Sequence, residues 1–219
     1  MLNTELYQIL HIADSAFPIG GYAYSNGLEY AVKSGIISDV KGLNQYLKDY
    51  LHQIIKFDMA FVKEAFEAEA EELPHLCESY DVMLLNPAIK KAGVVLGKNW
   101  KRAIKQLHGE DVALWPVENT DPDFLIIFGY TCKLLGYSLE NVCILYLFMI
   151  VRDQLSAIIR LGTLGPSQGH KMQSDLLKEL EETFTIDQIP SVEQAYKCTY
   201  IVEMAQLSHK YLYTKLFQN

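Results

Sequence analysis

At 219 residues the chain suits one compact unit, and with half its residues hydrophobic and 21% charged it can fill a large core. A formal net charge of −8 leaves no basic face to replace phosphate counterions, so nucleic acid is not an expected partner. The four cysteines, Cys77, Cys132, Cys143 and Cys198, contain no CxxC pair and read as buried reduced thiols of a cytoplasmic protein, not as a disulfide framework.

Residues 2–12 place Leu2, Leu6, Ile9 and Leu10 on one face of a short first helix, without the basic start and long apolar core of a secretory signal. Residues 14–29, DSAFPIGGYAYSNGLE, then concentrate special backbone demands. Pro18 fixes its own φ and pushes Phe17 toward an extended conformation, while Gly20 and Gly21 permit a sharp turn. Tyr22 and Tyr24, two apart, would point the same way in an extended backbone. Asn26 and Glu29 have capping-box spacing for a second helix over about 26–34, with Gly35 ending it. One reading is an ordinary loop between helices with half-buried tyrosines; the other is a preformed contact surface, since tyrosine is enriched at interfaces.

Asp39 caps the clearest amphipathic helix, carrying Leu43, Tyr46, Leu47, Tyr50, Leu51, Ile54 and Ile55, which the pattern continues past Phe61, Val62 and Phe66 into the acidic run EAEAEE. Pro74 opens the next helix, with Leu76, Tyr80, Met83 and Leu84. Asn86-Pro87 opens another that reaches about His108. Within it Gly93 and Gly97 share a face, which predicts close approach of a neighbouring helix. Residues 109–121 read as a loop, Asp121-Pro122 as the start of a helix closing at Gly136, and Ser138 as the cap of a long helix ending near Arg160. The apolar run at 142–151 is far below the ~20 residues that span a bilayer, and a buried helix explains it. The glycine-rich turn LGTLGPSQGH follows, then an amphipathic helix to about Phe184. Pro190-Ser191 with Gln194 predicts a capping box and a terminal helix reaching Leu216. With no period-two alternation and no internal repeat, the expected fold is all-α, one globular domain of about eight to ten helices.

No catalytic constellation emerges. The turn over residues 162–171 fails the phosphate-loop pattern: Gly165 and Gly169 enclose three residues, Lys171 follows His170, and Met172 offers no hydroxyl. His75 and Cys77, two apart, would diverge on a helix, and there is no HExxH or clustered Cys/His set, so no cofactor and no dedicated tight metal site within one monomer is expected, a weak or dimer-shared site staying open. Ser25 lacks the context of a nucleophile. A helical body with displayed aromatics, including Tyr196, Tyr200, Tyr211, Tyr213 and Phe217 near its end, suits a binding component better than an enzyme. A small nucleotide-handling or hydrolytic enzyme using the 162–171 turn stands as the alternative.

Four segments resemble the urease accessory protein UreF family. Asp14, Ser15, Phe17, Pro18, Ile19, Gly20, Tyr22, Ser25, Gly27, Leu28 and Glu29 stand where that family's D-S-x-[FL]-P-[IV]-G signature and its continuation have them. Lys90 with Leu96-Gly97-Lys98-Asn99 resembles its mid-chain basic and glycine segment, with Lys90 where arginine is common. Arg160 and the turn after it resemble V-[KR]-x-x-P-L-x-Q-x-x-G-Q, with Thr163, Pro166 and His170 departing from it. The ending HKYLYTKLF is similar to H-E-x-x-Y-[ST]-R-L-[FY]: His209, Tyr213, Thr214, Leu216 and Phe217 match, Lys215 replaces arginine, and Lys210 stands for the acid.

The resemblance implies a non-enzymatic, cytoplasmic scaffold that forms a homodimer and binds UreD (also called UreH). The pair recruits the nickel-carrying GTPase UreG and delivers metal to the urease apoprotein. The residues it points to for partner contact are Phe17, Pro18, Gly20, Tyr22, Ser25, Glu29, Lys90, Arg160, His209, Tyr213, Lys215 and Phe217. Residues 209–219 are expected to be a tail that a partner orders.

Overall fold

A computed structural model describes residues 4–109, 112, 115–117 and 121–218; Leu2 and most of the expected 109–121 loop lie outside them. Among the described residues there are ten α-helices and four short 3-10 turns, and no strand, so the all-α expectation holds. The helices are α1 (Thr4–Ile12), α2 (Leu28–Lys33), α3 (Val40–Lys56), α4 (Asp58–Glu67), α5 (Leu73–Met83), α6 (Pro87–His108), α7 (Phe124–Leu134), α8 (Leu139–Arg160), α9 (Pro166–Thr183) and α10 (Tyr200–Ser208).

Helix α7 is buried continuously from Phe124 to Cys132 and packs between α4 and α6. Trp100 of α6, fully buried, donates its indole N–H to Thr131 Oγ1 of α7 at 2.7 Å and meets Phe124 and Phe128 edge-on. Helix α8 packs against α9 and α2 and also touches α4 and α7. At 22 residues α8 is long and apolar enough to cross a membrane, but 61% of its most apolar window is buried inside the molecule. Its apolar surface is therefore largely covered by the rest of the chain, as in a core helix.

Several starts and stops follow local chemistry. Asp39 accepts from Gly42 N at 2.6 Å, Asn86 from Ala88 N at 3.0 Å and Ser138 from Asn141 N at 3.2 Å, each satisfying an orphan donor of the first turn. Both glycines allow close approach: a Cβ at Gly97 would fall 2.1 Å from the Pro122 carbonyl oxygen, and one at Gly93 1.9 Å from Asp123 Oδ2. The expected close neighbour of this glycine face is thus the segment leading into α7, not a helix flank.

Elsewhere tertiary partners override the local pattern. The expected capping box of Asn26 and Glu29 does not form: α2 starts at Leu28, with Gly27 at φ 89 before it. A side chain at Gly27 would collide with the backbone of α10, 2.7 Å from Gln206 N, so both the positive φ and the contact require glycine. The helix expected from Asp39 into the acidic run breaks at Phe57 (φ −123, ψ −68), whose buried ring packs on Phe61 and Tyr80. Asp123 rather than Asp121 caps α7, accepting from Leu125 N at 3.0 Å.

The terminal helix is far shorter than expected. After a 3-10 turn at Val192–Gln194, residues 195–199 run extended along α3. Their polar groups are satisfied there: Tyr196 N donates to Lys56 O, Thr199 N to Gln53 Oε1 and Thr199 Oγ1 to Asp49 O. The glycine-rich turn is shorter too, because Pro166 starts α9 and so places Gly169, His170 and Lys171 on that helix.

On α1, Leu6, Tyr7 and Leu10 are exposed and Ile9 is half-buried. The helix is tied down at its start, where Glu5 accepts from Ser138 N and Asn141 Nδ2.

Candidate functional site

The 14–29 loop is stiff for reasons its residues suggest. Asp14 Oδ1 accepts from Ala16 N at 2.7 Å, and Ile19 N bonds Phe17 O across the exposed Pro18. Phe17 is buried between His11 and Trp100, with ring centroids 5.6 and 5.8 Å away. Asn99 of α6 donates to Ile19 O, and Arg152 of α8 donates to Ala13 O. Gly20, at φ 85, turns the chain into a 3-10 turn at Gly21–Ala23. That turn separates the two tyrosines expected to align: Tyr22 is 57% exposed and Tyr24 is buried. The spacing argument held only for extended backbone, and a 3-10 turn rotates successive residues by about 120°.

Glu29 is the hub of the site. Fully buried, it accepts from Lys33 Nζ (2.7 Å) and Leu216 N (2.8 Å) on Oε1, and from His209 Nε2 (2.9 Å) and Phe217 N (3.2 Å) on Oε2. Burial pushes its pKa up, but the hydrogen bonds from Lys33, the Leu216 N–H, His209 and the Phe217 N–H outweigh it and hold the carboxyl at about 2. An ionised carboxylate only accepts, so Nε2 of the buried His209 carries the proton; Nδ1 has no partner among the described residues. Ser25 Oγ, also buried, accepts from Glu29 N at 3.3 Å and takes over the role expected of Asn26.

Arg160, the last residue of α8, joins loop to tail from the outside. Its guanidinium donates to the Tyr22 carbonyl and lies 5.8 Å from the Tyr22 ring centroid and 4.4 Å from that of Phe217. The Phe217 ring is buried beneath it, and Gln218 N donates to Ala23 O. Signature loop, end of α8 and tail therefore meet in one place.

Of the twelve residues singled out in the sequence, Phe17, Ser25, Glu29, His209 and Phe217 are buried and Gly20 is half-buried. Pro18, Tyr22, Arg160, Tyr213 and Lys215 are exposed at or near the junction, Tyr213 completely so. Lys90 stands apart on α6, where it pairs with Asp81 at 2.6 Å; Asn99 of the same segment is the residue that reaches the loop. Sequence reasoning missed the outer face of α10. There Tyr200, Met204, Leu207 and Tyr211 form an exposed stripe leading to the tail. Its i, i+4, i+7 spacing was visible, but the predicted helix was too long for its free face to be assigned.

Behind the loop a largely apolar pocket of about 110 Å³ also has Asp58, Asp123, Asp153 and Gln154 in its lining. Burial pushes Asp58 up to about 6 and Asp123 up to about 7, and raises Asp153 as well. Among the described residues no group of three or more His, Cys, Asp or Glu side chains is placed to hold a metal ion.

An all-helical body whose loop, helix end and tail converge on one aromatic and basic junction has the form of a protein-binding component. A family model described as UreF matches residues 37–177, and the chain belongs to the UreF family of urease accessory proteins, which are accessory chaperones and not enzymes. "Urease accessory protein F" of Oryza sativa subsp. indica is 26% identical over 225 residues, covering 99% of this chain and 86% of that protein. Its namesake in Arabidopsis thaliana is 27% identical over 215 residues, covering 94% of this chain and 89% of that protein. "Urease accessory protein UreF" of Trichodesmium erythraeum is 23% identical over 235 residues, covering 100% of both. The signature loop and the tail lie outside the matched span 37–177 but within the full-length likeness to the Trichodesmium erythraeum protein.

Proposed function

We propose that this chain is the scaffold on which nickel is inserted into urease. In this reading it acts in the cytoplasm as a homodimer, binds UreD/UreH, recruits the GTPase UreG and presents the assembly to the urease apoprotein. The observation that carries the reading is the junction itself: segments far apart in sequence, each resembling the same family, are joined through Glu29 and Arg160.

The residues divide by burial. Direct contact with a partner falls to the exposed set, Pro18, Tyr22, Arg160, Tyr213 and Lys215, together with the α10 stripe. Phe17, Gly20, Ser25, Glu29, His209 and Phe217 act by fixing the shape that set presents. Exposed tyrosines offer large amphipathic area at small entropic cost, as interface anchors do. Residues 209–219 would then be held at Phe217 while the stretch around Tyr213 adapts to the partner. Lys90, paired with Asp81, belongs to a separate contact.

The test is co-purification from cells expressing the accessory set and urease, paired with urease activity after deletion of the gene. The chain should bring down UreD/UreH and UreG, and deletion should leave urease without activity that added nickel in the medium does not fully restore. Normal urease maturation in the deletion strain would overturn the reading. The enzymatic alternative on residues 162–171 loses its structural basis, since Pro166 starts a helix through Gly169 and Lys171.

A further inference from the structure

In a chain with 27 acidic and 19 basic residues, one surface groove is lined by lysines with no carboxylate among its described lining residues. It holds about 470 Å³ between the first turns of α6, the end of α10 and the tail. Lys91, Lys210 and Lys215 are exposed at its rim and form no ion pair among the described residues. Lys90, one residue from Lys91, is by contrast paired with Asp81. The ammonium of Lys210 sits 5.0 Å from the Tyr211 ring centroid.

One of the residues lining the groove also has an unmet donor. Asn86, 2% exposed, spends its Oδ1 on capping Ala88 N, and its Nδ2 has no partner among the described residues. A buried N–H without an acceptor is destabilising, and an anion reaching it from the groove would supply the acceptor. Asn86 also opens the 22-residue α6, whose N-terminal dipole favours negative charge at the same place. Alongside these donors run apolar side chains, Val95 (38% exposed) and Leu207 (45%), continuous with the α10 stripe.

We propose that this groove docks an acidic segment of a partner protein. Its carboxylates would meet the lysines and Asn86 Nδ2, and its apolar side chains would lie on Val95 and Leu207. A phosphate alone would use the donors and leave the apolar wall idle, so the peptide is the better occupant. The proposal deepens the scaffold reading by giving one docking surface a chemistry. It rests on that reading only for the existence of a partner.

The test uses the purified full-length chain and a fluorescent peptide of alternating Glu and Leu, followed by anisotropy, with a Gln/Leu peptide and inorganic phosphate as comparators. Asn86→Asp keeps the acceptor that caps α6 and replaces the free donor by carboxylate oxygen. A second variant changes Lys91, Lys210 and Lys215 to Gln, and Lys178→Gln on α9 is the control. The acidic peptide should bind saturably at low salt and weaken as salt rises. Affinity should fall about tenfold in Asn86→Asp and in the triple variant and stay constant in the control, with the melting temperature unchanged in the triple variant and lowered in Asn86→Asp, whose new carboxylate is buried. The Gln/Leu peptide should bind no better than background. No saturable binding, equal affinity in the first two variants, or tighter binding of phosphate than of peptide would overturn the proposal. Co-purification of UreD/UreH alongside any of those results would leave the scaffold reading intact and remove only this site.

Discussion

At the tail junction Glu29 is fully enclosed and accepts from four partners, whereas Asp123, nearly as enclosed where α6 meets α7, spends Oδ1 on Leu125 N and leaves Oδ2 without one among the described residues. The first carboxyl is held at about 2 and the second is pushed up to about 7. Burial acts on both in the same direction; the number of donors aimed at each decides the sign. A buried charge surrounded by donors ties distant segments together, while one short of donors weakens the folded state at neutral pH. The side proposed to face a partner thus contains the better-satisfied acid.

The largest effect should come from removing the hub. Glu29→Ala leaves His209, Lys33 and two tail N–H groups without their acceptor, so stability should drop by about 3–5 kcal/mol, read by denaturant unfolding. Phe217→Ala opens a hole under Arg160 and should cost about 3 kcal/mol in the same assay.

Asp123→Asn should move the other way. Its raised folded-state pKa means that the wild-type acid contributes most when protonated. That contribution is complete below about 3.8 and is lost as pH climbs to about 7. Asparagine can keep the cap on Leu125, so the variant should be more stable than wild type at pH 8 by about 1–2 kcal/mol, with the gain shrinking as pH falls and gone below about 3.8. For Glu29 the window is reversed: its contribution is complete above about 4.5 and lost as pH falls toward 2. Acid titration of the wild type and of Glu29→Gln should therefore converge below that range. A smaller stability effect is expected at Arg160→Ala, at most about 1 kcal/mol for its exposed ring contacts.

The same contrast marks what was legible in the sequence. Caps whose acceptor sits within three residues of its donor, at Asp39, Asn86 and Ser138, were readable because local chemistry decides them. Glu29 was readable only as half of a capping box. Its actual donors include an N–H 187 positions away, which no spacing rule reaches. The break at Phe57 and the extended stretch before α10 fail for a related reason: a buried ring in one case, and α3's polar groups in the other, outbid helix periodicity. The junction's members were found because a family signature names them. The lysine groove was not, since Lys91, Lys210 and Lys215 come together only when α6, α10 and the tail pack.

The central claim is that the exposed part of this junction binds the accessory partners. Co-purification of UreD/UreH with the Tyr22→Ala/Tyr213→Ala double variant tests it most directly, because both rings are exposed and their loss should leave the melting temperature within a degree or so of wild type. The account predicts that this intact protein loses most of its bound partner. Undiminished recovery of UreD/UreH would contradict it.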